Sequence, residues 1–318
     1  MKMRIFAAAL ACLAGAFAAG GAGRQGPAAG PAYVFSLFGA ERDTVCGTAG
    51  LSGRGGWALT SDTAGQAGRA TAREEGGGRV LIVADERPQM EVLAGFLRAE
   101  GRYETRIADQ KDLPADLGVH AAVFMYVHSK FLPEPEKALI RYAAEGGRLV
   151  VLHHGMASAR AGNPDWLRMA GIRIAPRTDA KHPWRVVGQT THTLVNLQPR
   201  HYITSRGVRY DRTVRYRSSD EPSAEGEFPG LDLPNTEVFL NQQFTDGREK
   251  TVLFGSMCTD PQTGETIMQD RGGWYKPAGK GWLFYLQPGH AESDFRNLNY
   301  CRIILNCLTW QPPAEQAG

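Results

Sequence analysis

From Arg79 onward the chain alternates between short unbroken apolar runs and segments whose apolar residues recur at helical spacing. Val80-Leu81-Ile82-Val83-Ala84 is a β-branched run of the kind that forms a strand buried on both faces. Pro88 then opens a segment with Val92, Leu93, Phe96 and Leu97 at helical spacing, closed by Gly101. Strands are predicted over Tyr103 to Ile107 and Ala121 to Val127. A helix follows from Pro133 or Pro135 to Glu145, with Leu139, Ile140 and Tyr142 facing inward. Gly146-Gly147 stops that helix, and Arg148-Leu149-Val150-Val151-Leu152 begins a strand that runs into His153-His154-Gly155. Strands and helices alternating at these spacings predict an α/β fold, a mainly parallel sheet with helices on both faces.

The stretch from about Pro176 to Asp270 has a different texture. Pro and Gly are frequent, and short β-rich runs appear at Arg185 to Val187, Glu237 to Leu240 and Thr251 to Phe254, without a strong helix. This reads as strands and long loops elaborating the same domain. Regular order returns with Gly281 to Leu286, which runs into Gln287-Pro288-Gly289-His290. A last helix from about Asn299 to Trp310 carries Cys301, Ile304, Leu305 and Leu308 as its apolar stripe. A domain over residues 79–312 and a tail over 313–318 complete the parse.

The segment before Arg79 contributes no core. Lys2 and Arg4 precede the apolar run from Ile5 to Leu13, and Ala16-Phe17-Ala18 supplies a small-x-small cleavage pattern, so residues 1–19 are expected to be a cleaved secretory signal. Residues 20–78 are rich in Gly, Ala, Ser, Thr and Arg, too poor in apolar surface to offset their ordering entropy, and are expected to form a linker. The mature protein is thus expected in a periplasm or outside the cell, with no integral membrane segment. Cys46, Cys258, Cys301 and Cys307 match no compact disulfide framework and no paired zinc motif. Cys301 and Cys307 fall on different faces of the last helix, and small buried apolar residues are the expectation. An apolar fraction of 42% supports a real core. The formal charge of +3, with basic residues scattered, gives no footprint for nucleic acid. Association with a second copy of the chain is left open.

In open parallel sheets ligands bind in the crevice at the carboxyl ends of the strands. Three predicted strands deliver imidazoles to that edge: His128 after Tyr126-Val127, His153 and His154, and His290. Glu292, two residues beyond His290, is the expected carboxylate to hold that ring in one tautomer for acid/base work. Several imidazoles and a carboxylate can also hold zinc, although no H-E-x-x-H or H-x-H unit exists and the ligands would converge from distant segments. No G-x-S-x-G elbow is present, and a P-loop fails at Trp274, where its first glycine would stand. Asn241, Asp260, Gln269 and Trp274 belong to polar, aromatic stretches of the kind that bind sugars; the alternative is a hydrophilic loop with Trp274 half-buried.

Several segments taken together carry a resemblance. Gly146 to His153, Thr236-Glu237-Val238-Phe239, Gly279 to His290, Asp294-Phe295 and Asn306-Cys307-Leu308-Thr309-Trp310 resemble the ThuA-like (trehalose utilisation) family over nearly all of residues 79–312. The resemblance implies a three-layer α/β/α sandwich of flavodoxin-like character, like that of class I glutamine amidotransferases. Amidotransferases of this fold use a cysteine at a strand-end elbow with a later histidine and glutamate. Here the elbow falls at His153-His154, and His290 and Glu292 stand where that later pair would be, so a cysteine nucleophile is not implied. Asp85-Glu86-Arg87-Pro88 stands where many relatives carry a histidine after the first strand.

The expected function is that of an exported enzyme acting on a small carbohydrate, a disaccharide or keto-glycoside. His153 or His154 and His290 are its acid/base groups, with Glu237 or Asp260 as a carboxylate partner. His128, Asn241, Asp260, Gln269 and Trp274 are expected to contact the sugar. A non-catalytic carbohydrate-binding or scaffold protein and a zinc-dependent hydrolase remain the alternatives.

Overall fold

A computed structural model of the chain describes residues 77–220, 224–247 and 249–313. The expected leader, nearly all of the expected linker with Cys46, and the tail beyond 313 lie outside the described residues.

The first half is a βαβ series. It comprises β1 (Arg79–Ala84), α1 (Arg87–Gly101), β2 (Glu104–Ala108), β3 (Ala122–Tyr126), α2 (Pro133–Ala144), β4 (Arg148–Leu152), the single turn α3 (His154–Ala157) and α4 (Pro164–Ala170). Next come β5 (Ile172–Ile174), β6 (Arg185–Asn196), α5 (Tyr202–Ser205), β7 (Arg212–Arg217), β8 (Glu225–Leu240), β9 (Gln242–Phe244), β10 (Thr251–Thr259) and β11 (Thr266–Ala278). The chain closes with β12 (Gly281–Leu286), α6 (Glu292–Arg296) and α7 (Leu298–Thr309).

Ten strands form one sheet in the order β2-β1-β3-β4-β12-β11-β10-β6-β8-β7, and β5 pairs with β9 in a separate ribbon. From β2 to β12 every neighbouring pair is parallel. From β12 to β7 every pair is antiparallel. The α/β class therefore holds, and the Pro-rich middle of the chain turns out to extend the parallel sheet with an antiparallel wing.

Strand periodicity explains the layering. Val80, Ile82, Ala84, Phe124, Val150 and Phe284 face one side and pack under Leu93 and Leu97 of α1 and Ile304 and Leu308 of α7. Their neighbours Leu81, Val83, Val123, Val151 and Leu283 face the other side, against Leu139 and Tyr142 of α2 and Trp166 of α4. Both faces of the parallel half are dry, which is why its strands read as unbroken apolar runs. Each such side chain contributes about 1.5–3 kcal/mol of burial. The last helix starts one residue before its expected first residue, because Asn297 Oδ1 accepts the Asn299 and Tyr300 N–H groups as its cap.

β6 and β8 are far longer than the short runs legible in the sequence. They pair with one another across two register shifts, and their outer positions are polar and exposed. A half-solvated ribbon needs only one apolar face, so its sequence shows no continuous run. No helix among the described residues is long and apolar enough to cross a membrane. Cys258, Cys301 and Cys307 are free and buried; burial pushes the last two thiols up to about 12, so they stay protonated and inert.

Candidate functional site

His153 stands at the end of β4 with φ +44° and ψ −112°, a conformation strained for a residue with a Cβ. The chain turns there from strand into α3, the geometry of a strand-to-helix elbow that thrusts one side chain above the sheet. Gly155 allows the turn: a Cβ there would lie 2.4 Å from the Met125 carbonyl oxygen. The elbow is thus at His153 itself, and His154 begins the helical turn.

His290 arrives from the end of β12 through Gly289, which has φ +130°. The fourth member comes from the antiparallel wing. Glu237 lies near the end of β8, a strand separated from β12 in the sheet by the three strands β11, β10 and β6. Its Oε1 is 3.3 Å from His153 Nε2, 3.1 Å from His154 Nε2 and 2.7 Å from His290 Nδ1. One ligand atom from each of these four residues falls within 4.8 Å of all the others.

The protons on these rings can be assigned. His153 Nδ1 lies 2.7 Å from the Gln287 carbonyl oxygen, which only accepts, so Nδ1 carries the hydrogen. Burial lowers the His153 pKa to about 4, so near neutral pH the ring is uncharged and its Nε2 is a bare lone pair. That lone pair faces the carboxylate oxygen of Glu237. His154 is also lowered, chiefly by burial; its buried Nε2 lies 3.1 Å from Glu237 Oε1 but off the line of a hydrogen bond. His290 is different: its hydrogen bond to Glu237 raises its pKa, and its side chain is 45% exposed. Burial acts to raise the Glu237 carboxyl, while hydrogen bonding from the imidazoles acts to lower it; His290, whose own pKa is raised by the contact, is the ring that has the proton to donate. One imidazole nitrogen without a proton to donate, Nε2 of His153, therefore faces an anionic oxygen. Such an arrangement is repulsive until a cation stands among the donors, and imidazole with carboxylate is a donor set suited to zinc, iron(II) or manganese(II). The carbonyl of Gln287 behind His153 is the outer partner that fixes a ligating ring. The residues fit a metal ion.

The walls are built by neighbouring segments. Phe239, two residues beyond Glu237, stacks on His153 at 4.4 Å between ring centroids. His128 stacks on His154 at 3.9 Å, and its Nδ1 is 2.7 Å from Glu86 Oε1. Asp85 fixes the same loop by accepting the His128 and Ser129 N–H groups. Ser158 donates to the carbonyls of Val127 and His128.

The structure brings His128, His153, His154, Glu237 and His290 together. It does not bring Glu292 to His290: that carboxylate opens α6 and pairs with Arg296 one turn on, while Glu237 takes the role expected of it. Asp260 is bound by Arg185 at 2.9 Å. Asn241 and Gln269 hydrogen-bond one another and, with Arg185 and Arg217, line a cavity of about 290 Å³ on the antiparallel wing. Trp274 is fully buried, packed on Tyr285 and Phe244, because its position on β11 faces the core under α4. Glu86, Gln287 and Phe239 were not singled out from the sequence; their contacts join segments too far apart for spacing to reveal.

A second buried imidazole lies deeper, where His192 Nε2 meets Ser256 Oγ at 2.8 Å. Burial lowers its pKa to about 3. His192 and His153 both bind protons less readily folded than unfolded, so stability is full above the ordinary value near 6.5 and falls as pH drops below it toward the folded values. Each should cost about 2 kcal/mol between pH 7 and pH 5. Urea unfolding at the two pH values measures the loss, and His192→Gln should remove about half of it; an unchanged slope would mean His192 is solvated.

Residues 79–311 match the model of a family described as ThuA, trehalose utilisation. No curated protein matches the chain. A ThuA-like protein from Parabacteroides merdae superposes with a TM-score of 0.54 at 13% identity, over 74% of this chain and 89% of that one. A second, from Bacteroides uniformis, gives 0.47 at 14% identity over 76% and 94%. A glutamine amidotransferase from Thermotoga maritima gives 0.37 at 11% identity over 66% and 74%.

Proposed function

The chain belongs to the ThuA, or trehalose utilisation, family, and on that premise we propose that it is a sugar-processing enzyme whose centre is a divalent cation held by His153, His154, His290 and Glu237. The observation that carries the reading is the unprotonated Nε2 of His153 aimed at Glu237 Oε1 from 3.3 Å, with its tautomer fixed by Gln287. A cation bound there supplies Lewis acidity toward a carbonyl or hydroxyl oxygen of the substrate.

The protein's own groups supply orientation and proton handling. His290 is the most exposed of the four; without a cation its Nδ1 would donate a proton to Glu237, and binding the cation through that nitrogen would release the proton. His128 is half-exposed beside His154, with Nδ1 engaged by Glu86, which leaves Nε2 for a substrate hydroxyl. Phe239 and Trp184, stacked near the elbow, exclude water from its inner side. The family description supports a disaccharide as the substrate class, its keto derivative being the further candidate, and the apolar leader supports action after export. No cysteine takes part, since His153 occupies the elbow.

Incubation with disaccharides and their keto derivatives, with zinc, iron(II) or manganese(II) supplied in turn, tests the reading by mass spectrometry of products. A new product that disappears with a chelator is expected. Saturable sugar binding without any product under all three metals would instead indicate a non-catalytic binding protein.

A further inference from the structure

Glu237 and His290 meet at 2.7 Å, yet no backbone ladder holds them together. β8 is hydrogen-bonded to β6 and β7, whereas β12 lies between β4 and β11. Something else must fix the end of β8 over the loop after β12. The link is one oxygen atom of Asp294. Its Oδ2 accepts the Thr236 hydroxyl at 2.7 Å and the N–H groups of Gly289 and Ala291, each at 3.2 Å. Thr236 immediately precedes Glu237, and Gly289 and Ala291 flank His290.

We propose that Thr236 and Asp294 are a positioning pair that sets the separation of Glu237 and His290 and so tunes the centre's affinity for its cation. Both side chains are 1% exposed, so water does not compete for the bond. Capping of α6 accounts for the Ala291 contact, because that residue precedes the helix. It accounts for neither the Gly289 contact nor the Thr236 contact, which reaches across 58 residues of sequence. A parallel fastening lies on the other side of Glu237. The Gln287 amide accepts the Phe239 N–H and donates to the Phe239 carbonyl, both at 3.1 Å, as a strand neighbour would. Glu237 is therefore held between two side-chain clamps, both borne by the segment that carries His290. The metal role rests on the proposed function, while the geometric role does not.

Thr236→Val removes the hydroxyl and keeps the shape; Thr236→Ser keeps the hydroxyl. Cation titration by calorimetry with zinc, melting temperature and a crystal structure would be compared for both. Thr236→Val should weaken zinc binding ten- to a hundredfold. It should also open the Glu237 to His290 separation beyond hydrogen-bond distance, with the melting temperature within about 5 °C. Thr236→Ser should match the wild type within about threefold. Thr236→Ala serves in place of the valine variant if that one does not fold. An unchanged separation in the hydroxyl-free variant overturns the proposal, as does equal weakening in the serine and valine variants. If the wild type binds no zinc, iron(II) or manganese(II) but the separation still opens, the metal reading fails and the positioning pair stands.

Discussion

Glu237→Gln should weaken the binding of a divalent cation by at least about a hundredfold, more than follows the loss of an outer partner. It should also remove any turnover that depends on the cation. The size of the effect comes from the single atom at stake. Oε1 is the point on which His153, His154 and His290 all converge, and it bears the only negative charge among the four donors. An amide in its place keeps the shape but loses the charge, and its nitrogen can donate to the lone pair of His153, satisfying the centre without a metal. The same change should lower the melting temperature of the metal-free protein, since it removes the carboxylate that accepts the His290 hydrogen bond and raises that ring's pKa. Calorimetric titration and thermal melts of the metal-free pair measure both effects. Unchanged affinity with unchanged melting would place the cation elsewhere.

Gly155→Ala should destabilise the fold by about 3 kcal/mol, near the top of the usual range for an overfilled site. At this domain size that is roughly a 10 °C drop in melting temperature. The added Cβ would meet the Met125 carbonyl oxygen at 2.4 Å and the Val151 side chain at 3.0 Å. Backbone of a central strand cannot yield as a flexible side chain can. The alternative to unfolding is a shift of α3, which would carry His153 and His154 off Glu237. The variant should therefore lose cation affinity even where it remains folded. Full stability together with full affinity would show that the elbow is looser than described.

How much of this was legible in the sequence depended on solvent exposure. β1, β3, β4 and β12 are buried on both faces and announced themselves as apolar runs. β6 and β8 were mostly hidden, because a wing wet on one side mixes polar residues, Pro and Gly into its strands. β11 was hidden because its buried middle carries Gln269, Asp270 and Arg271. The same division governs the site. His153, His154 and His290 were visible because strand ends carry ligands to one edge. Glu237 was one of two candidate carboxylates, and only the course of β8 shows that it, and not Asp260, crosses to the histidines. The His290–Glu292 spacing suggested a local pair, but the residue opens α6 and turns toward Arg296. Trp274 looked like a sugar platform; alternation along β11 puts it in the core. The Glu86–His128 and Thr236–Asp294 contacts join distant segments, and nothing local encodes them.

The central claim is that four side chains from β4, α3, β8 and the loop after β12 form one cation centre. Elemental analysis by mass spectrometry, on protein purified without a histidine tag and dialysed free of loosely held ions, tests it most directly. About one zinc, iron or manganese per chain in the wild type, and far less than one in Glu237→Gln, is the predicted result. Equal metal content in the two proteins, or none in the wild type after growth with all three metals supplied, would contradict it.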